Sequence, residues 1–133
     1  MKALTICQPY AELIALLEKP VENRTWTTDY RGPLAIHAGK SRDWLGPGDM
    51  ERYPDMAFGA FVAVGNLVAC LRVNSITSSH DPKMIALAAN VHTEGPWCWV
   101  LDNVRRIDPI PYRGAQGLWD APDDLFPAAG GKE

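Results

Sequence analysis

The chain has 133 residues, 47% of them hydrophobic and 22% charged, with a formal net charge of −3. That length fits one domain able to hold a core without disulfide or metal staples, and the near-average composition excludes a disordered, collagenous or coiled-coil chain. The charge excludes a generic polycation, but it is unevenly spread: Lys19, Arg24, Arg31, Lys40 and Arg42 face Glu22 and Asp29 within residues 19–42, while Asp120, Asp123, Asp124 and Glu133 face Lys132 within residues 115–133.

Residues 3–8 read as a short strand, since Ala3-Leu4-Thr5-Ile6-Cys7 are apolar or β-branched. A helix follows, with Pro9 suited to a first helical position and Tyr10, Leu13, Ile14 and Leu17 at i, i+3, i+4, i+7. Pro20 is expected to end it, because a residue before proline is pushed out of the α region. Residues 21–26 read as extended, which puts Glu22, Arg24 and Trp26 on one face and Val21, Asn23 and Thr25 on the other. A turn at 29–32 leads to a strand over 34–38, with Leu34, Ile36 and Ala38 on one face and Ala35 and His37 on the other. Residues 42–58, with Gly46-Pro47-Gly48 and Pro54, read as a long loop with one short helical turn.

Residues 59–73 give the longest strand signal, and Gly65 in its middle marks a bulge or tight bend. Asp81 and Pro82 are placed to cap and start a second helix over 83–90. Strands are expected over 97–101 and 104–107, broken at Asp102-Asn103, with Pro109 and Pro111 forcing an edge or an irregular segment. Residues 114–119 close the core. The reading is one α+β domain over residues 1–120, a small mixed β-barrel of five to six strands, followed by a loose acidic tail at 121–133.

No apolar run approaches ~18 residues and the first residues lack a signal-peptide layout, so a soluble, cytoplasmic protein without a membrane partner is expected. Cys7, Cys70 and Cys98 are odd in number and have no C-x-x-C spacing, which favours buried thiols over a disulfide framework or a zinc ribbon. His37, His80 and His92 lack metal-ligand spacing. Neither a metal nor a cofactor is expected.

Three stretches can carry chemistry. In Lys19-Pro20-Val21-Glu22-Asn23-Arg24 a helix end delivers an ammonium beside a strand face bearing a carboxylate and a guanidinium. That cluster is either a ligand site or a salt bridge that caps the helix. His37-Ala38-Gly39-Lys40-Ser41 lacks the G-x-x-x-x-G-K spacing of a phosphate loop. It leaves Lys40 as an anion contact, and His37 either facing the same cleft or satisfied by a backbone group. Tyr10 and Trp26 adjoin the charged cluster and are candidate pocket walls on which a base can stack, whereas Trp97 and Trp99 read as core.

Gln8-Pro9-Tyr10-Ala11, Lys19-x-x-Glu22-x-Arg24 with Trp26, Tyr30-Arg31-Gly32 and Ile36-His37-Ala38-Gly39-Lys40 together resemble the ASCH (activating signal cointegrator homology) domain. Gly95-Pro96-Trp97-Cys98-Trp99 and Pro111-Tyr112-Arg113-Gly114 extend the resemblance over about residues 3–120. It implies a PUA-like β-barrel with one main N-terminal helix and a second, shorter one, and a cleft between helix and barrel. It also implies a binding module for RNA, single-stranded nucleic acid or a modified nucleoside. The family's G-x-K-x-x-E-x-R signature maps its charged positions onto Lys19, Glu22 and Arg24, with Leu17 in place of the glycine. Tyr10, Lys19, Glu22, Arg24, Trp26, His37 and Lys40 are thus the expected binding residues.

Some bacterial relatives resemble amidohydrolases that deacetylate acetylated cytidine with a lysine, a threonine and a glutamate. Here Lys19 matches the lysine, Glu22 replaces the threonine, and Glu94 is the only acid between Pro82 and Pro96. A small amidohydrolase using Lys19 and Glu22 is the alternative that this implies, and a ribonuclease a further one. An ionised Glu22 would hold Lys19 as an ammonium and make it a poor base.

Overall fold

The computed structural model describes residues 1–126. Its frame is one six-stranded sheet in the order β2-β5-β4-β3-β1-β6, curled into a half-barrel. The strands are β1 (Lys2–Ile6), β2 (Val21–Arg24), β3 (Gly32–Ala38), β4 (Ala60–Arg72), β5 (Trp97–Pro111) and β6 (Leu118–Asp120). The four α-helices among the described residues are α1 (Tyr10–Ala15), α2 (Asp49–Arg52), α3 (Val73–Thr77) and α4 (Pro82–Ala89). Only β1 and β3 pair in parallel; α1 and β2 lie between them in sequence, and every other neighbouring pair is antiparallel.

The period of two sorts the barrel side chains as the sequence indicates. Leu34, Ile36 and Ala38 enter the main core with Leu4, Ile6, Ile14, Leu67 and Trp99. Ala35 turns to a second core around Phe61, and His37 stacks edge-on to that same Phe61 ring. Gly65 lies at a register shift between β4 and β5, where a Cβ would stand 2.9 Å from Val104 Cγ2 and 3.1 Å from Asp102 O. Only a residue without a side chain lets β5 approach that closely. Asp81 caps α4 by accepting from Lys83 N (2.8 Å), with Pro82 in the first turn.

Four expectations change. First, α1 is shorter than its apolar stripe indicates and shorter than α4. Gln8 Oε1 accepts from Glu12 N (2.9 Å) near its start, and the helix stops well before Pro20. Leu17 N donates to Ile14 O (3.0 Å) and Glu18 N to Leu13 O (2.9 Å), a Schellman closure that puts Leu17 at φ 66° and 69% exposed. The helix end therefore has the shape a glycine would give, built with a leucine.

Second, residues 97–111 form one strand, with Asn103 at φ 49° taking up the irregularity. Pro109 and Pro111 sit beyond Trp97–Val100, the stretch paired with β2, on a half-strand that has β4 alone as its neighbour. A missing N–H is tolerated at such an edge.

Third, the strand read over 59–73 stops at Arg72, and Val73 instead opens α3, which seats Ile76 fully in a core with Val21 and Cys98. Fourth, residues 121–126 are docked against the barrel. Met1 N donates to Ala121 O (2.8 Å) and pairs with the Asp123 carboxylate, and Phe126 packs edge-on to Phe61 at 4.8 Å. The rest of the expected acidic tail lies outside the described residues.

Leu17 makes the first prediction. A left-handed residue with a Cβ costs ~1–2 kcal/mol, and glycine's freedom in the unfolded chain returns ~0.5–1 kcal/mol of that. The exposed leucine side chain loses little burial when it is removed. Leu17→Gly should therefore stabilise the protein by roughly 0.5–1 kcal/mol, raising the melting temperature by about 2–4 °C in a thermal scan; an unchanged or lower midpoint would show that Leu17 is unstrained.

Candidate functional site

A cleft of about 330 Å³ opens where α1, β2 and the C-terminal end of β1 meet. Its charged lining is Lys19, Glu22, Arg24 and Glu94. Each member is placed by backbone features already described. The Schellman turn and Pro20 swing the chain from α1 into β2, so that Lys19 arrives beside Glu22. The alternation of β2, locked by Glu22↔Trp99 and Arg24↔Trp97 pairing, puts Glu22 and Arg24 on the same side.

The three groups share one carboxylate. Lys19 Nζ is 3.1 Å from Glu22 Oε1 and also donates to Val21 O. Arg24 Nε stands 3.0 Å from Glu22 Oε2, an ion-pair distance without the alignment of a hydrogen bond, and Arg24 Nη2 donates to Thr5 O (2.8 Å). Lys19 is 4% exposed and Glu22 8%. An ion pair so buried persists only when its donors and acceptors are engaged. The ammonium also stands 5.8 Å from the centroid of the Tyr10 ring, another lining residue.

Asn23 faces away from this triad and staples the far wall. Its Nδ2 donates to His92 O (2.8 Å), while its Oδ1 accepts from Glu94 N (3.1 Å) and Gly95 N (2.8 Å). His92 and Glu94 thereby reach the cleft although their loop lies about seventy residues downstream. Trp44, 62% exposed, supplies a bare aromatic face at the cleft from the loop after β3. Cys7 also lines the cleft, while Cys70 and Cys98 are buried; burial raises the Cys98 pKa, with the Lys19 charge pulling the other way.

Of the expected binding residues, Tyr10, Lys19, Glu22 and Arg24 line the cleft. Trp26, His37 and Lys40 do not. Trp26 lies beyond the last residue of β2, so strand alternation no longer governs it; it packs edge-on to Trp99 at 4.8 Å and accepts from Trp99 Nε1 through its carbonyl. Lys40 is exposed on the loop after β3, its stem lying across Gly59.

His37 is buried beneath the second core, between Phe61 and Trp119. Its Nε2 donates to Tyr112 O (2.7 Å), which leaves Nδ1 as the acceptor facing Thr5 Oγ1 (3.3 Å); that hydroxyl accepts from Trp119 Nε1 (3.2 Å). This is a neutral, structural histidine.

The alternation that pairs Glu22 with Arg24 is visible in the sequence. The arrival of Trp44, His92 and Glu94 is not, because it depends on loop closures. Asn23, between the two charged residues, is the available signal: a polar side chain on the buried side of a strand needs partners from elsewhere.

The sequence profile of the ASCH domain matches residues 4–111, and the chain belongs to that family. Its fold is similar to the crystal structure of ASCH from Zymomonas mobilis (14% identity, TM-score 0.56), covering 93% of this chain and 89% of that one. It is also similar to a tyrosine-to-phenylalanine variant of the Zymomonas mobilis protein (16% identity, TM-score 0.55), covering 93% and 91%. No curated protein matches the chain. No described helix is long and apolar enough to cross a membrane, and no group of three metal-ligating side chains occurs among the described residues.

His37 gives a pH prediction. Burial holds its pKa below the ordinary 6.5, against the opposing pull of the hydrogen bond to Tyr112. With the folded value depressed, its contribution to stability is complete above the unfolded pKa. It is lost as pH falls from about 6.5 through the lower folded value. Urea midpoints between pH 8 and 5 should fall more steeply for the wild type than for His37→Gln; parallel curves would contradict the neutral assignment.

Proposed function

We propose that the protein binds single-stranded RNA or a modified nucleoside by taking one base into the cleft. The observation that carries this reading is an exposed Trp44 ring at a cleft that also holds a buried, mutually paired Lys19–Glu22–Arg24 set. Domains of this family are generally RNA-binding. The cavity is at the small end of ligand pockets, which run from about 300 to 1,000 Å³, so it suits one nucleoside rather than a stretch of strand.

An unstacked base would lie against Trp44 and Tyr10, as bases do on accessible aromatic rings. The Lys19 and Arg24 N–H groups would donate to a base carbonyl. Each carboxylate oxygen of Glu22 has two lone pairs, so it can accept from an exocyclic amine while still holding its cation. Because the donors are already fixed, little side-chain entropy is lost on binding.

A second reading, a small amidohydrolase acting on an N-acylated nucleoside such as acetylated cytidine, is favoured by one observation: Glu94 reaches the same cleft as Lys19. Lys19 donates to both Val21 O and Glu22, which suits an electrostatic role better than a general base.

Lys19→Ala would leave Glu22 half-paired in a buried site, at a cost of ~3–5 kcal/mol, so it reports stability more than binding. Trp44→Ala is cleaner because the ring is exposed. It should weaken binding of a short single-stranded RNA or nucleoside by about 5- to 150-fold with an unchanged melting temperature, equivalent to ~1–3 kcal/mol of stacking. Wild-type affinity in Trp44→Ala would overturn the proposed cleft. Release of free cytidine from acetylated cytidine would favour the hydrolase, and no turnover at high protein concentration would remove it for that substrate.

A further inference from the structure

The cleft's own charges nearly cancel. Lys19 and Arg24 both lean on Glu22, and Glu94 adds a second carboxylate. Such a site can read a base edge but has little positive charge left for a phosphate. Free cations lie immediately beside it. Gly39 N donates to Ile6 O (3.0 Å), and both Ile6 and Trp44 line the cleft, so the loop from Gly39 to Trp44 leaves the cleft edge and returns to it. Between those anchors stand Lys40 and Arg42.

Both are held in place by something other than a carboxylate. The Arg42 guanidinium lies 4.0 Å over the Phe58 ring, and the Lys40 stem lies across Gly59. That surface is tied to the cleft from below: Gln8, next to Cys7, donates through Nε2 to Ala57 O (2.7 Å). Tyr112 N donates to Gly59 O (3.1 Å), and Arg113 follows it in the chain. Among the described residues none of Lys40, Arg42 and Arg113 is in an ion pair. The acids between Gly39 and Phe58 are Asp43, Asp49, Glu51 and Asp55, and Asp49 is turned onto Gly46 N (2.6 Å).

We propose that Lys40 and Arg42 form a phosphate ledge beside the cleft, so that its ligand is a nucleotide or a nucleotide unit of single-stranded RNA rather than a free nucleoside. The inference rests on the cleft reading above and adds a division of labour: base inside, phosphate on the loop. Arg42 stands two residues from Trp44, within about 7.6 Å between Cα atoms, so a base stacked on the ring carries its phosphate toward the guanidinium. Arg42 Nη1 also donates weakly to Met50 Sδ (3.8 Å), and stacking on Phe58 leaves Nε and Nη2 to donate in a fork.

The test compares a nucleoside, its 5′- and 3′-monophosphates and a short single-stranded RNA, bound at low salt to wild type, Trp44→Ala and the double variant Lys40→Gln/Arg42→Gln. Both loop residues are exposed, and an unchanged melting temperature confirms an intact fold. Wild type should bind a phosphorylated form about tenfold or more tighter than the nucleoside, as charge-assisted contacts allow. The double variant should shrink that advantage to about twofold or less and leave nucleoside binding as it was. Its RNA salt slope should be shallower by about 1.4, near 0.7 for each phosphate that no longer meets a cation.

A monophosphate bound as tightly as RNA would identify a free nucleotide as the source, and tighter RNA binding a strand; both support the ledge. An undiminished phosphate advantage in the double variant overturns it. If instead Trp44→Ala binds the nucleoside as well as wild type does, or no probe binds at all, the cleft reading itself fails.

Discussion

The site depends on a single carboxylate kept away from water. Glu22 would be expensive to bury alone, and its burial is offset because Lys19 approaches one oxygen and Arg24 the other. That arrangement constrains much around it. Lys19 must leave α1 through the left-handed Leu17, β2 must keep its register on β5, and Arg24 must reach Thr5 O in β1. The cleft is therefore a by-product of satisfying a buried charge cluster whose donors already have partners within the protein.

The strand faces are readable because alternation is a local property. Glu22 and Arg24 emerge together, and Leu34, Ile36 and Ala38 separate from Ala35 and His37, because each set lies within one paired strand. The same rule misplaces Trp26, which lies past the point where β2 stops pairing and so answers to Trp99 instead. For His37 it gives the correct face of β3. What it does not reveal is that this face belongs to a second core, closed by β6 and Tyr112 from the distant end of the chain. Periodicity shows which residues share a side; it does not show what lies across from that side.

Helix limits fail for a related reason. The apolar spacing of Tyr10, Leu13, Ile14 and Leu17 is a helical signal, yet the backbone closes at Leu16 because the chain must turn toward β2. A glycine would have announced that stop, and a leucine conceals it. Similarly, Val73, Ile76 and Thr77 have the composition of a strand, and burial of Ile76 against Val21 overrides it. Trp44, His92 and Glu94 carry no pattern at all, since loops and an asparagine staple bring them in.

The order of the strands adds a constraint on how the site comes into being. All three of its central charged residues fall within the first 24 positions, yet β2 joins the sheet only through β5, at Trp97–Val100. A nascent chain that ended after β4 would contain the whole ammonium–carboxylate–guanidinium set without the strand that lines it up. Pairing across so many residues is slow because loop closure precedes its reward. The lined-up charge cluster therefore depends on β5 being seated, however early in the chain its three residues lie.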